Sequence, residues 1–279
     1  MFDLRSPTSK IVFSTLLILI SALFFLPIWW LISTAFKSTG EIFVRMPTFF
    51  PQQPTLDHFR TALTDGNLPI YLRNSLITAG GSAMLTTSLA AYAAFSLAKY
   101  KYTGRKFMLY TMLSAQMFPF AVLLISIYPM LRAFGLIDTY PGLIIAYVVF
   151  GLSPGTYMLY SYFSQLPSEL IEAARADGAS DMRIIHTIIF PLSIPGLVTV
   201  GLYSFMGAWN DLLYSLTLLT STSMRTIGPG LLLTYLGELS NDWGGAMAAS
   251  IVTSLPVIIA FSFLQRYFIQ GITAGAVKA

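Results

Sequence analysis

Few side chains in this sequence could do covalent or metal chemistry. It has no cysteine, which removes thiolate nucleophiles, disulfides and cysteine-metal sites. Its only two histidines, His58 and His186, are far apart in the chain, so a histidine metal site has little support. No Gly-x-x-x-x-Gly-Lys-Ser/Thr loop occurs, so the chain itself is not expected to bind or hydrolyse ATP. No paired carboxylates and no Ser/His/Asp set can be assigned to one site. Two short polar constellations remain. EAARADGASDMRIIHTIIFP, residues 172–191, carries Glu172, Arg175, Asp177, Asp181 and Arg183. SFMGAWNDLLYS, residues 204–215, carries Trp209, Asn210, Asp211 and Tyr214. Its rings could stack on a sugar and its amide and carboxylate could bond hydroxyls. The same residues suit a membrane interface, with Asp211 capping a helix or pairing there.

The elements that must position them are apolar. The 279 residues are 55% hydrophobic and 10% charged, with mean hydropathy +0.70. A soluble domain carries about a quarter charged residues, so this is an all-α, polytopic membrane protein. A helix needs about 20 apolar residues to cross a bilayer, and six candidates occur, at 11–33, 74–98, 107–130, 142–164, 193–219 and 245–268. The first is too long for a signal-peptide core and lacks a clear small-x-small cleavage site, so it is expected to be a retained span. The second is crowded with Gly, Ala, Ser and Thr, which lets helices approach closely. Pro119, Pro129, Pro154 and Pro195 fall in or near spans and can bend them. The whole chain, 1–279, reads as a single transmembrane domain.

Lysine and arginine set the orientation. With the N-terminus inside, cytoplasmic segments hold Arg5, Lys10, Lys99, Lys101, Arg105, Lys106, Arg175, Arg183, Arg266 and Lys278, and external segments hold Lys37, Arg45, Arg60, Arg73, Arg132 and Arg225. That is ten against six of the 16 basic residues, and the cluster AKYKYTGRK is hard to place outside. The net charge of +4 therefore reflects membrane topology and not nucleic-acid binding. Both termini, and residues 172–191, then face the cytoplasm. The longest external loop, 37–73, is rich in Pro and aromatic residues. It reads as a surface-lying or partner-binding segment or as an ordinary connector.

Residues 168–191 read as a helical elbow. Ser168 is a candidate N-cap, and Glu169 and Glu172 sit near the positive helix end. Ala173, Ala174 and Ala176 favour helix. Gly178 is the natural stop, able to take positive φ. A second helix starts with Ser180 as cap and Asp181 in its first turn, and Pro191 marks the entry to the fifth span.

The spacing Glu172-Ala173-Ala174, Gly178, Ile188-Ile189-Phe190-Pro191 resembles the cytoplasmic signature of ABC-importer permease subunits, Glu-Ala-Ala, three residues, Gly, nine residues, Ile-x-Leu-Pro. The one departure is Phe190 in place of Leu. The stretches DGASDMRIIHTIIFPLSIPGL and FMGAWNDLLYSLTLL and the tail GITAGAVKA are similar to the carbohydrate-uptake branch, of MalG type, with Ile272, Ala276 and Ala279 departing from its usual tail. The resemblance implies six spans with a cytoplasmic coupling helix between spans four and five, in a prokaryotic plasma (inner) membrane. It implies that Glu172, Ala173, Ala174, Asp177 and Gly178 meet an ATP-binding subunit, with Ile188 and Pro191 anchoring the elbow. It implies a second homologous permease, two ATP-binding subunits that carry ATP and Mg, and an extracytoplasmic sugar-binding protein. The chain itself would be non-catalytic, without cofactor. The solute would be a sugar, a di- or oligosaccharide, moved by alternating access. Glycerol-phosphate or a polyol is the alternative. A stand-alone secondary transporter is a further class, but such proteins carry ionisable residues deep in their spans or inverted halves, and neither is evident. In the second constellation, Asp211 must face water or a polar partner, because a carboxylate in hydrocarbon costs several kcal/mol.

Overall fold

The computed structural model describes residues 7–237 and 241–276, with side chains described for 9–237 and 241–265. Every regular element among the described residues is helical. In chain order these are α1 (Pro7–Ala35), α2 (Thr39–Ile42), α3 (Asp57–Thr64), α4 (Leu68–Lys99), α5 (Arg105–Ala115), α6 (Phe120–Ala133), α7 (Tyr140–Ser164), α8 (Glu169–Ala176), α9 (Asp181–Ile184), a π-helical turn (Ile185–Ile189), α10 (Phe190–Leu192), α11 (Ile194–Trp209), α12 (Leu213–Leu218), a 3-10 turn (Thr222–Met224), α13 (Ile227–Tyr235) and α14 (Trp243–Ala276). The chain divides into two compact units, Met1–Leu68 with Leu231–Ser254, and Pro69–Gly230 with Leu255–Ala279.

In the first unit, α1 exposes large apolar side chains from Ile11 to Ile28, as expected of a face turned to lipid. The Pro-rich segment after α2 folds back on its C-terminal end. Ser33 Oγ and Trp29 Nε1 donate to the Phe49 carbonyl at 2.9 and 3.2 Å. Lys37 Nζ donates to the Thr48 carbonyl at 2.5 Å and lies 4.4 Å from the centre of the Trp30 ring.

The second unit holds both polar constellations. Its core joins Ala90, Ala91, Ala94 and Phe95 of α4 to Leu159 and Phe163 of α7 and Val200 of α11. Small residues set the approach of these helices. A Cβ on Gly151 would lie 2.9 Å from Thr86, and one on Gly155 3.0 Å from Val200. Three hydroxyls of α4 bond back to its own carbonyls, Thr78 to Asn74 (2.9 Å), Ser82 to Ala79 (3.0 Å) and Ser88 to Met84 (2.8 Å).

By length and composition, α1, α7 and the described part of α14 can each cross a membrane. Two bent pairs raise the number to five if each is one span, α5 with α6 at 101° and the Asp181–Leu192 helices with α11 at 82°. The helix expected over 107–130 is therefore not continuous. It breaks before Pro119, which has extended backbone and precedes α6. The helix expected over 193–219 also breaks, after Trp209. α4 covers the expected span 74–98. At 32 residues it is roughly 48 Å long, at about 1.5 Å per residue, but its Gly, Ser and Thr content keeps it out of the strongly apolar set. Pro129, Pro154 and Pro256 lie inside α6, α7 and α14, whereas Pro195 sits in the first turn of α11, where a missing N–H costs nothing.

Gly151→Leu is expected to destabilise the second unit by about 1–3 kcal/mol through overpacking against Thr86. Gly80→Ala is expected to leave stability unchanged or slightly raised, since nothing lies within 4 Å of its Cβ position. Thermal denaturation of the purified protein in detergent measures both.

Candidate functional site

The elbow is built on two opposed faces. Ile171 of α8 is buried, as are Ile184, Ile185 and Ile189, and all four join the core formed by α4, α7 and α11. Glu172, Ala173, Asp177 and Gly178 are exposed. Of the other residues expected to couple or anchor, Ala174 and Ile188 are half-buried and pack against that core, while Pro191 is exposed.

Local chemistry explains the turn. After α8 the Ala179 amide donates to Ala174 O (2.9 Å) and the Gly178 amide to Arg175 O (3.0 Å), with Gly178 at φ +78°. This is the paired closure that satisfies the last carbonyls of a helix and requires a left-handed residue. Ser180 has extended backbone and its hydroxyl accepts from the Arg183 amide at 3.4 Å, as expected of the cap of α9. Ser168 does not cap α8. Its backbone is already helical (φ −68°, ψ −25°), so its hydroxyl makes no cap bond.

One ion pair ties the two arms of the elbow together. Arg175 donates to Asp181 Oδ1 at 2.9 Å, and Tyr100, just beyond α4, donates its hydroxyl to Asp181 Oδ2. The Arg175 guanidinium also lies 5.5 Å from the centre of the Tyr100 ring. The Tyr100 hydroxyl and, after it, Arg175 hold the Asp181 carboxyl below its ordinary range. Tyr100 belongs to this site although 81 positions separate it from Asp181, and no local sequence signal marks it.

At the second constellation the helix break changes the reading. Asp211 was expected within a continuous helix; it lies in the gap between α11 and α12, 8% exposed. Its Oδ2 accepts from the Ser215 amide and the Tyr147 hydroxyl, both at 2.8 Å, and its Oδ1 from the Tyr214 amide at 3.3 Å. Asp211 is thus a helix cap and a pairing group. Tyr214 is fully buried, its ring 4.4 Å from Phe120 and 5.1 Å from Phe150, and its hydroxyl donates to Phe120 O at 2.8 Å. Trp209 is buried and stacks on Phe205 at 5.2 Å. Asn210 is exposed, and its amide donates to Met206 O at 2.9 Å. Buried Asn74 was not singled out from the sequence. It donates to Ser223 O and Arg225 O at 2.9 and 2.8 Å and accepts from Tyr140 at 2.6 Å.

Residues 86–274 match the family model of the binding-protein-dependent transport system inner membrane component. The chain belongs to this family. It is therefore an inner-membrane permease component that works with the other parts of an ABC transporter. It is similar to the inner membrane ABC transporter permease protein YcjP of Escherichia coli, 36% identical over 94% of this chain and 93% of that protein. It is also similar to the trehalose/maltose transport system permease protein MalG of Thermococcus litoralis, 34% identical over 94% of each. The diacetylchitobiose uptake system permease protein NgcG of Streptomyces coelicolor is 33% identical over 94% of this chain and 87% of that protein. A solved bacterial ABC transporter involved in the import of the acidic polysaccharide alginate shares the fold, with TM-score 0.85 over 95% of this chain and 99% of that one, at 21% identity. The elbow and the Asp211 break both fall inside the segment matched by the permease family.

The Asp211 assignment separates two substitutions. Tyr147→Phe removes one bond to a carboxylate and is expected to cost about 1.5–3 kcal/mol. Asp211→Leu also strands two amides, each costing about 1–3 kcal/mol, and is expected to lower the yield of folded complex far more. Complex yield and thermal midpoint of the two variants check this order.

Proposed function

We propose that this chain is one of two permease subunits of a sugar importer, and that α8 is its coupling helix. The observation that carries the reading is the two-faced elbow, with Glu172 and Ala173 exposed on a helix, Asp177 and Gly178 exposed at its end, and the Ile171 side held in the core. A rigidly seated helix with an exposed, small and charged face can receive a push from a soluble subunit and pass it to α4, α7 and α11. Two ATP-binding subunits, carrying ATP and Mg, would meet this face from the cytoplasm. Their closure would swing the spans between outward and inward access. A second homologous permease would complete the pathway, and an extracytoplasmic binding protein would deliver the solute.

In this reading the chain crosses the membrane six times, α4 supplying the second crossing, with both termini in the cytoplasm. The ten-to-six division of Lys and Arg supports that orientation. A di- or oligosaccharide is the proposed solute, in keeping with the names of the trehalose/maltose and diacetylchitobiose relatives. Of the four residues first considered for the sugar, Asn210 alone is exposed. Direct contact is therefore proposed for Asn210, with Trp209, Asp211 and Tyr214 shaping the break that presents it.

Glu172→Lys and Gly178→Leu test the coupling. The second forces a branched side chain onto φ +78°, at a cost of about 1–2 kcal/mol. Both variants are expected to insert normally, to lose most sugar uptake and to lose stimulation of ATPase activity by loaded binding protein. Normal uptake in both would reduce the elbow to a connector. Orientation is tested separately on this cysteine-free chain. Cysteine introduced at Ser180 is expected to react only with reagent that reaches the cytoplasm, and cysteine introduced at Gln52 with impermeant reagent from outside. External labelling at Ser180 would remove the coupling reading.

A further inference from the structure

The turn between α4 and α5 forms a cleft of about 530 Å³ that neither the elbow nor the Asp211 break uses. It is lined by three cationic side chains, Lys101, Arg105 and Lys106, and no carboxylate lines it. α5 has no acidic residue in its first turn. Asp181, reached through Tyr100, is already paired with Arg175 at 2.9 Å. Lys101 and Lys106 make no ion pair among the described residues. Arg105 is fixed, donating to Tyr100 O at 3.3 Å and to the Tyr160 hydroxyl at 3.2 Å. The cleft thus holds three unneutralised positive charges, two ammonium groups beside one pre-oriented guanidinium, an arrangement suited to phosphate oxygens.

Its remaining walls decide which phosphate. Leu97, Phe107 and Leu109 also line the cleft, and Phe107, Met108 and Tyr110 are exposed apolar side chains along the same helix. A soluble anion gains nothing from such a surface. A molecule with a phosphodiester at one end and acyl chains at the other fills both parts, and basic pockets between membrane helices on the cytoplasmic side suit such headgroups.

We propose that this cleft binds the phosphodiester headgroup of an anionic membrane lipid, with Lys101, Arg105 and Lys106 on the phosphate and the acyl chains along exposed Phe107 and half-buried Leu109. Assignment to the cytoplasmic leaflet rests on the orientation proposed above. The site itself needs only a membrane interface and does not depend on the coupling role of α8.

The test uses the whole transporter complex in nanodiscs of phosphatidylcholine with and without phosphatidylglycerol. Lipid retention is read by native mass spectrometry and the thermal midpoint is measured in parallel. Phosphatidylglycerol is expected to be retained over phosphatidylcholine and to raise the midpoint. Lys101→Gln/Lys106→Gln, which leaves the structural bonds of Arg105 intact, is expected to weaken that retention roughly 25-fold, about fivefold per lysine. Soluble glycerol phosphate at millimolar concentration is expected not to displace the lipid. Equal retention in the variant, no preference in the wild type, or displacement by glycerol phosphate would each overturn the proposal. So would loss of the ATP-binding subunits from the variant with lipid retention unchanged, which would assign the surface to a protein partner. Glu172→Lys is expected to keep lipid retention whatever its uptake, so that failure of the coupling reading and failure of this one remain distinguishable.

Discussion

Where α11 stops at Trp209, the chain must satisfy the amides that a continuous helix would have bonded. Asp211 is buried, so little water reaches these amides, and an unpaired buried backbone group costs about 1–3 kcal/mol. The Asp211 carboxylate meets this demand by accepting from the Tyr214 and Ser215 amides, and Tyr147 from α7 completes its shell. A charged side chain is thereby retained inside a membrane protein, and a helix can break there. The break in turn seats Tyr214 between Phe120 and Phe150, so the packing of α6, α7 and α12 follows from one capped interruption. Asn74 does related work for the irregular backbone at Ser223 and Arg225.

The elbow obeys the same demand. Its turn carbonyls are closed by the Gly178 and Ala179 amides, and its two arms are held by Arg175, Asp181 and Tyr100. Exposed ion pairs contribute little to stability on their own. This one acts with buried isoleucines on both arms, Ile171 on one side and Ile184, Ile185 and Ile189 on the other. Apolar burial supplies the hold, and the polar contacts set the angle. An element held in this way is positioned by its core.

Close approach of α4 and α7 depends on what they lack. Ala90 and Ala94 on one, and Gly151 and Gly155 on the other, leave no bulk between them. In lipid, van der Waals contact of this kind replaces the hydrophobic drive between helices. The same small residues weaken the apolar signal of α4, which is why a helix long enough to cross a bilayer is the least hydrophobic of the expected spans.

Much of this was legible in the sequence. Apolar content and runs of about 20 apolar residues identified a helical membrane chain. The Glu172–Pro191 spacing identified the elbow, because caps and a positive-φ glycine are local properties that follow from residue type. Gly178 and Ser180 behave as their neighbours dictate. Ser168 does not, because its backbone is already part of the helix. Other features depended on residues far apart in the chain. Apolar windows do not register a break, so 107–130 and 193–219 read as continuous although Pro119 and Asp211 mark where they bend. The partners Tyr100 for Asp181 and Tyr147 for Asp211 are 81 and 64 positions away, and only the packing of α4 and α7 against the elbow and the break selects them. The burial of Tyr214 and Trp209 was decided in the same way. A residue type states what a side chain can bond or bury against, and the tertiary structure alone decides which partner fills that capacity.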